Sequence, residues 1–410
     1  MTASAQSPSQ PHTSETQNEI EVSVVMPCLN EILTLKTCIL SAQALVAKLG
    51  TSAEIIVADN GSTDGSQELA REMGARLIEV PRRGYGAALI DGCKAARGKY
   101  IIMADSDASY DFLEGAAMVD EMRKGYELVM GSRFKGRIQP GAMPWKNRYI
   151  GNPLLTGVLN LFFQSGLSDA HSGIRGFTRE AFDKLDLRCP GMEFASEMVV
   201  KAALIDLKRT EVPVTLHKDG RDRPPHLNPW RDGWRHLRFL LLYAPRWVYM
   251  IPGFIMLVSG LLVSILINLI PTPVRILGIP LGDHWIIPGT MFASLGLQSL
   301  FLGVFMHAYS AKAGLYPRER WVHFVARQFT LERGLIVGLG LSAIGILVLG
   351  AILVQWISSS FGALNALKIG VFGMMWIMLG AQFLLNSFLL SLMMSEVRES
   401  EFEPAPVKEG

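Results

Sequence analysis

Three short polar clusters each follow an apolar run that reads as a β-strand. Met26-Pro27-Cys28-Leu29-Asn30-Glu31 ends the run that opens at Val22. Asp59-Asn60-Gly61-Ser62-Thr63-Asp64-Gly65 follows Glu54–Ala58, and Asp105-Ser106-Asp107 follows Tyr100–Ala104. Pro, Asn, Asp and Gly also build ordinary turns, so one cluster alone carries little. Three acidic or amide clusters at successive strand ends of one sheet carry more. An Asp-x-Asp sets two carboxylates within reach of one hard cation. Mg²⁺ and Mn²⁺ are commonly shared between such oxygens and substrate phosphates. A metal so held neutralises charge on a departing diphosphate, which suits a nucleotide-linked donor. Gly84 and Gly86 open a helix, where a phosphate can approach closely. No G-x-x-x-x-G-K-S/T loop occurs.

These clusters need a scaffold that brings strand ends together. Strand signals at Val22–Met26, Glu54–Ala58, Arg76–Val80 and Tyr100–Ala104 alternate with helical stretches, the first of which is expected to stop at Gly50. Such alternation predicts an α/β fold with a mostly parallel sheet covered on both faces. Ligands of open sheets of this kind sit beyond the carboxyl ends of the strands, where the clusters lie. Residues 1–19, rich in Ser, Thr, Gln and Pro with no apolar core, read as a mobile tail. Cys28, Cys38, Cys93 and Cys189 have no metal-ligand spacing and read as reduced thiols.

The charge distribution splits the chain. Of 410 residues, 76 are charged, yet only ten of these lie between Trp247 and Ser395. That excludes a wholly soluble protein, a disordered chain and a disulfide scaffold. A net charge of +2 is too small to indicate a nucleic-acid partner. Four stretches, Trp247–Ile270, Ile286–Tyr309, Gly334–Ile357 and Ile369–Ser395, lack Asp, Glu, Lys and Arg. Each exceeds the ~20 residues that cross hydrocarbon as a helix. Lys312, Arg318, Arg320, Arg327 and Arg333 fill the connector between the second and third, so that connector and both termini are expected in the cytoplasm. Before the first span, Asn228-Pro229 resembles a helix start. Trp230, Trp234, Leu237 and Leu241 then share one helical face, and Arg231, Arg235 and Arg238 another. That is the pattern of a helix lying in the membrane interface. The expected organisation is a tail at 1–19, an α/β domain at 20–228, an interfacial helix at 229–246, four spans at 247–395 and a cytoplasmic tail at 396–410.

The set Pro27-x-x-Asn30-Glu31, Asp59-Asn60-Gly61-Ser62-x-Asp64-Gly65, Gly84-x-Gly86 and Asp105-x-Asp107 resembles a family 2 glycosyltransferase of GT-A fold, Rossmann-like with a mostly parallel sheet. Gly131-Ser132-Arg133, Asp169-Ala170-His171-Ser172-Gly173-Ile174-Arg175 and Glu193-Phe194-Ala195-Ser196-Glu197 narrow the likeness to the dolichyl- and polyprenyl-phosphate sugar transferases. The resemblance spans about Ile20–Trp230 and implies a catalytic domain followed by an all-α transmembrane domain of four helices. It implies that Pro27, Asn30, Glu31, Asp59, Asn60, Gly86 and Ser106 surround a nucleotide sugar, UDP- or GDP-linked, with Arg223 as the family's late basic residue. Asp105 and Asp107 would bind donor and Mg²⁺ or Mn²⁺, with Ser109 beside the metal. Asn60 stands where the family carries an acid, and the segment around Arg221 and Arg223 departs from the usual pattern. Arg133 is expected to meet phosphate, and Arg175 to bind phosphate or to pair with Asp169.

A hydroxyl acceptor needs a positioned base, whereas a lipid phosphate is already an anionic nucleophile. The resemblance implies the latter: inverting transfer to polyprenyl phosphate at a membrane, with a homo-oligomer also compatible with the sequence. Asp169 and Glu197 remain alternative bases or structural partners. A processive polysaccharide synthase is the main alternative, but its Gln-x-x-Arg-Trp is reduced here to Arg246-Trp247 without the glutamine. A membrane scaffold with an inactive domain is a third. The orientation is open to test: cysteines placed at Asp283 and Ser359 should be labelled by an impermeant thiol reagent in intact cells, and one at Arg320 should not. The reverse pattern would overturn it.

Overall fold

The computed structural model describes residues 20–220, 229–271, 273–276, 279–312, 328 and 330–399. The chain forms two compact units that divide between His236 and Leu237. In the first, β1 (Val22–Cys28), β2 (Ala53–Asp59), β3 (Arg76–Glu79), β4 (Tyr100–Met103), β5 (Leu128–Ile138), β6 (Arg175–Thr178) and β7 (Arg209–Leu216) make one sheet. Its order is β3-β2-β1-β4-β6-β5-β7. The first four strands are mutually parallel, β6 runs against both its neighbours, and β5 is parallel to β7. This is the expected Rossmann-like GT-A sheet, with an antiparallel β6 that the strand signals did not reveal.

Register positions the polar clusters. Cys28 pairs with Asp59, and Val25 with Met103, so the chain leaves β1, β2 and β4 at one edge of the sheet. The order reverses between β1 and β4, which is the switch point at which open sheets bind ligands. β1 is buried along its whole length, as an apolar run covered on both faces should be. Helix α1 (Ile32–Leu49) stops at Gly50, whose left-handed backbone (φ 60°) returns its N–H to the Val46 carbonyl. The other helices of this unit are α2 (Ser66–Glu72), α3 (Tyr85–Ala95), α4 (Gly115–Arg123), α5 (Asn152–Phe163), α6 (Arg179–Leu185) and α7 (Phe194–Leu204).

Helix α8 (Pro229–Leu242) runs across the division, starting at the expected proline. Trp234 is exposed, while Phe239, Leu240 and Tyr243 are buried. Four long helices follow: α9 (Ile251–Leu269), α10 (Ile286–Lys312), α11 (Leu331–Ser358) and α12 (Leu367–Glu399). Among the described residues five helices are long and apolar enough to span a bilayer. One of the five is α1, whose Leu35, Cys38, Ile39, Ala42 and Leu45 are buried in the first unit's core, so four remain as spans.

The spans pair through glycines spaced by seven. Gly253 and Gly260 of α9 lie against Gly296 and Gly289 of α10, and Gly338 and Gly345 of α11 against Gly380 and Gly373 of α12. At each of these except Gly373, where the fit is tight without collision, a Cβ would collide with the partner's backbone or side chain. Lipid gives apolar helices no hydrophobic reason to associate, so close backbone approach and interhelical hydrogen bonds do the work. Asn386 Nδ2 donates to Gln298 Oε1 at 3.2 Å, joining α12 to α10. At one end of the bundle Lys368 Nζ lies 3.8 Å from Asp283, so the first and last connectors share that end. Gly260→Leu should separate α9 from α10 and cost about 1–3 kcal/mol through overpacking. Gly340→Leu, at a position with open space around it, should cost far less. Thermal unfolding of both variants in one detergent checks this.

Candidate functional site

The loops after β1 and β2 are sewn together by the motif side chains. Asp59 Oδ2 accepts from the Gly61 and Ser62 N–H groups (2.9 and 3.0 Å) and from Gln67 Nε2 at 2.6 Å. Asn30 Oδ1 accepts from Thr63 N–H, and Ser62 Oγ accepts from Asn30 N–H, both at 2.8 Å. Ser66 Oγ receives the Glu31 N–H, and Asp64 Oδ2 the Ile32 N–H, each at 3.0 Å. Burial alone would raise the Asp64 carboxyl, but hydrogen bonds from Ser66 and Ile32 outweigh it and hold the group below its ordinary value. Asn30 takes a left-handed backbone (φ 58°), which an Asn tolerates better than most residues.

Asn60 is committed to the next loop. Its Nδ2 donates to the Val80 and Arg82 carbonyls (3.1 and 2.8 Å), and its Oδ1 accepts the Gly84 N–H at 2.6 Å. This side chain therefore fixes the turn that opens α3. That turn exposes Arg82 and Arg83 at the carboxyl end of β3. Gly86 is tightly packed: an added Cβ would collide with the Cys189 and Gly191 carbonyls, and the Ala87 N–H is taken by Pro190 O at 3.1 Å. Glu197 accepts from the Arg188 and Cys189 N–H groups and pairs with Lys201 at 2.8 Å, which holds that loop in place.

Asp105-Ser106-Asp107 leaves β4 beside β1. Ser106 Oγ donates to the Pro27 carbonyl at 2.5 Å, and Thr34 Oγ1 donates to the Ser106 carbonyl at 2.7 Å. Pro27 and Glu31 are buried, and Asn30 between them is half-exposed. Asp107 Oδ1 accepts the Ser109 N–H at 3.0 Å, and its carbonyl accepts the Gly220 N–H at 3.1 Å. Between them Ala108 sits in the left-handed region (φ 62°), which costs a residue with a Cβ roughly 1–2 kcal/mol. The half-buried carboxylates of Asp105 and Asp107 stand at this bend. Ser109 is buried, its carbonyl accepting His217 N–H at 2.9 Å.

Two residues that the motif reading did not single out shape Asp105. Gly173 leaves the space into which the Asp105 carboxylate packs, and any Cβ there would collide with it. The Tyr85 hydroxyl hydrogen-bonds Asp105; burial and that carboxylate push it well above its ordinary value. Gly173 was legible only as a motif letter. Its steric reason needs β4 and the 165–174 loop side by side.

The basic and acidic candidates of the later motifs pair differently from expectation. Arg133 Nε and Nη2 reach Asp169 Oδ2 and Oδ1, both at 2.7 Å, and Asp169 also accepts the Arg133 N–H. Both residues are buried. Arg133 therefore meets a carboxylate instead of an open phosphate site, and Asp169 pairs with Arg133 rather than with Arg175. Arg175 is 1% exposed, and its guanidinium donates to the Ser172, Ala195 and Ala170 carbonyls, so it organises the loop and does not face a ligand. His171 packs edge-on against His236 of α8, and the two rings share the Ser196 hydroxyl at 3.2 and 2.8 Å. Burial and the neighbouring His236 hold His171 well below its usual value, so it is a neutral packing residue. Arg223 and Arg221 lie outside the described residues, as does the tail at 1–19.

Comparison with known proteins places both halves of the chain. The model of Glycosyl transferase family 2 matches residues 23–186, and that of the Glycosyltransferase family 2 C-terminal transmembrane region matches residues 304–394. The chain is 37% identical over 372 residues to the low-salt glycan biosynthesis hexosyltransferase Agl6 of Haloferax volcanii, covering 90% of this chain and 88% of that protein. It is 36% identical over 194 residues to the glycosyltransferase AglJ of the same organism, covering 47% of this chain and 62% of that one. Glucosyl-3-phosphoglycerate synthase from Mycobacterium tuberculosis is a distant structural likeness. It has TM-score 0.42 and 23% identity, covering 58% of this chain and 85% of that one.

Removing one partner of a buried ion pair strands the other charge, a loss of about 3–5 kcal/mol. Asp169→Ala should therefore lower stability by that amount, and Asp107→Ala should leave it nearly unchanged. Denaturant unfolding followed by circular dichroism separates the two. Equal stability in both variants would mean that Asp169 is not a structural counter-ion.

Proposed function

The chain belongs to the family 2 glycosyltransferases, with that family's transmembrane region, and from this premise we propose that it transfers a sugar from a nucleotide-sugar donor to a polyprenyl phosphate. One observation carries the choice of acceptor. Asp169 and Glu197, the two carboxylates offered as alternative bases, are both spent on structural partners. A hydroxyl acceptor needs a base, while a phosphate monoester arrives as its own anionic nucleophile. A membrane-bound chain is also suited to an acceptor that never leaves the bilayer.

The donor belongs at the carboxyl edge of β1, β2 and β4. Asp59 Oδ1 is buried and has no hydrogen-bond partner among the described residues, an acceptor that a base N–H would satisfy. Exposed Arg82 and Arg83 add positive charge at that edge for a diphosphate. Asp105 and Asp107 fit Mg²⁺ or Mn²⁺: two half-buried carboxylates with no third acidic, His or Cys ligand grouped around them among the described residues. Such ions take one or two carboxylates and leave the remaining positions to phosphate and water. When bound, the ion offsets the charge that gathers on the departing nucleoside diphosphate. The protein orients the donor through Asp105, itself fixed by Gly173 and Tyr85. The lipid phosphate oxygen then attacks the anomeric carbon as its bond to the diphosphate breaks, which inverts that centre. With the basic connector in the cytoplasm, donor and catalytic unit share that compartment.

In membranes or proteoliposomes, release of nucleoside diphosphate should require a polyprenyl phosphate. Asp107→Ala and excess EDTA should each lower the rate by a factor on the order of 10³ or more, the scale of losing one electrostatic stabiliser of a transition state. Release without lipid phosphate would favour a polysaccharide synthase. Full activity in EDTA would remove the metal from the reading.

A further inference from the structure

Tyr110, three residues beyond Asp107, is 5% exposed and packs in the first unit's core. A phenylalanine would fill the same space, so the buried hydroxyl needs partners to offset its lost water. Gly173 N–H donates to it at 2.9 Å, and Ser172 Oγ lies 3.5 Å away. The Arg133 guanidinium stands beside it. Burial alone would lower Arg133, but the Tyr110 phenol and Asp169 hold it above its ordinary value. One hydroxyl thus joins the segment after β4 to the 165–174 loop and to the Arg133–Asp169 pair. The ring matters too. A Cβ on Gly173 would meet both the Asp105 carboxylate and, at 2.8 Å, Tyr110 Cε2. Gly173 is therefore packed against both, and close packing passes a shift of one member to the next.

We propose that Tyr110 is a positioning residue of the donor site, which acts through Gly173 on the direction of the Asp105 carboxylate. The inference rests on the reading of Asp105 as a donor ligand. Tyr85 holds that carboxylate by a hydrogen bond, and Gly173 limits it by contact. The contact keeps its place only while the 165–174 loop does. The Gly173 bond to Tyr110 ties this loop to the segment that carries Asp105, so carboxylate and glycine keep one arrangement. Tyr110→Phe preserves the ring and removes the tie, leaving the Gly173 N–H without that acceptor. The Tyr110 hydroxyl is buried on protein partners, so it reaches the donor only through Asp105.

The test uses the full chain in detergent, with UDP and GDP as probes, Mn²⁺ present and isothermal titration as the readout. Tyr110→Phe should weaken binding of the nucleotide that the unaltered chain takes by roughly fivefold, the scale of one buried hydrogen bond. In the Asp105→Asn background, whose affinity starts lower, the same substitution should change Kd by less than about twofold. That loss of effect separates positioning from general loosening, which would weaken binding equally in both backgrounds. An equal loss in both, or an unchanged Kd in Tyr110→Phe, would overturn the inference and leave the functional reading standing. Failure of the unaltered chain to bind either nucleotide with Mn²⁺ would instead sink both.

Discussion

At the carboxyl ends of parallel strands the chain must turn away from the sheet, leaving backbone N–H groups that no neighbouring strand can pair. A buried donor left unsatisfied costs ~1–3 kcal/mol, so something must accept from each of them. Asp59, Asn30, Ser62, Ser66 and Asp64 do so between the first two loops, and Asn60 does so for the third. The Asp59-to-Gly65 motif is therefore first a device for closing loops. It fixes the β1 and β2 ends beside Asp105 and Asp107, which lie one strand over.

A second layer of buried charge supports the first. Asp169 with Arg133, Glu197 with Lys201, and Arg175 on three carbonyls hold the loops on the far side of β4. Buried pairs seldom add much net stability, because desolvation offsets their attraction. What they supply here is a single loop arrangement. Gly173 then lies against Asp105, and the Cys189–Gly191 backbone against Gly86. The same pairing engages both Asp169 and Glu197 with structural partners.

The helical unit obeys a different rule because its solvent differs. With lipid outside, apolar burial cannot choose a partner helix, and backbone proximity does. The glycines spaced by seven on α9 and α10, and again on α11 and α12, make two helix hairpins, and Gln298 with Asn386 adds a bond between α10 and α12.

The sequence by itself determined the strand and helix periodicities of β1 to β4, the stop at Gly50, the four spans and the carboxylate pair at a strand end. All of these depend on residues close in the chain, where apolar spacing and turn chemistry decide conformation. The glycine seams were written there too, as a seven-residue repeat, but their meaning required knowing which helices pair. Tertiary structure alone decided the antiparallel β6, the partner of Asp169, the burial of Arg175, and the close packing of Gly86 against the Cys189–Gly191 backbone. Each depends on groups tens of residues apart meeting in three dimensions. A motif fixes which atoms are available, but only packing fixes which of them are already taken.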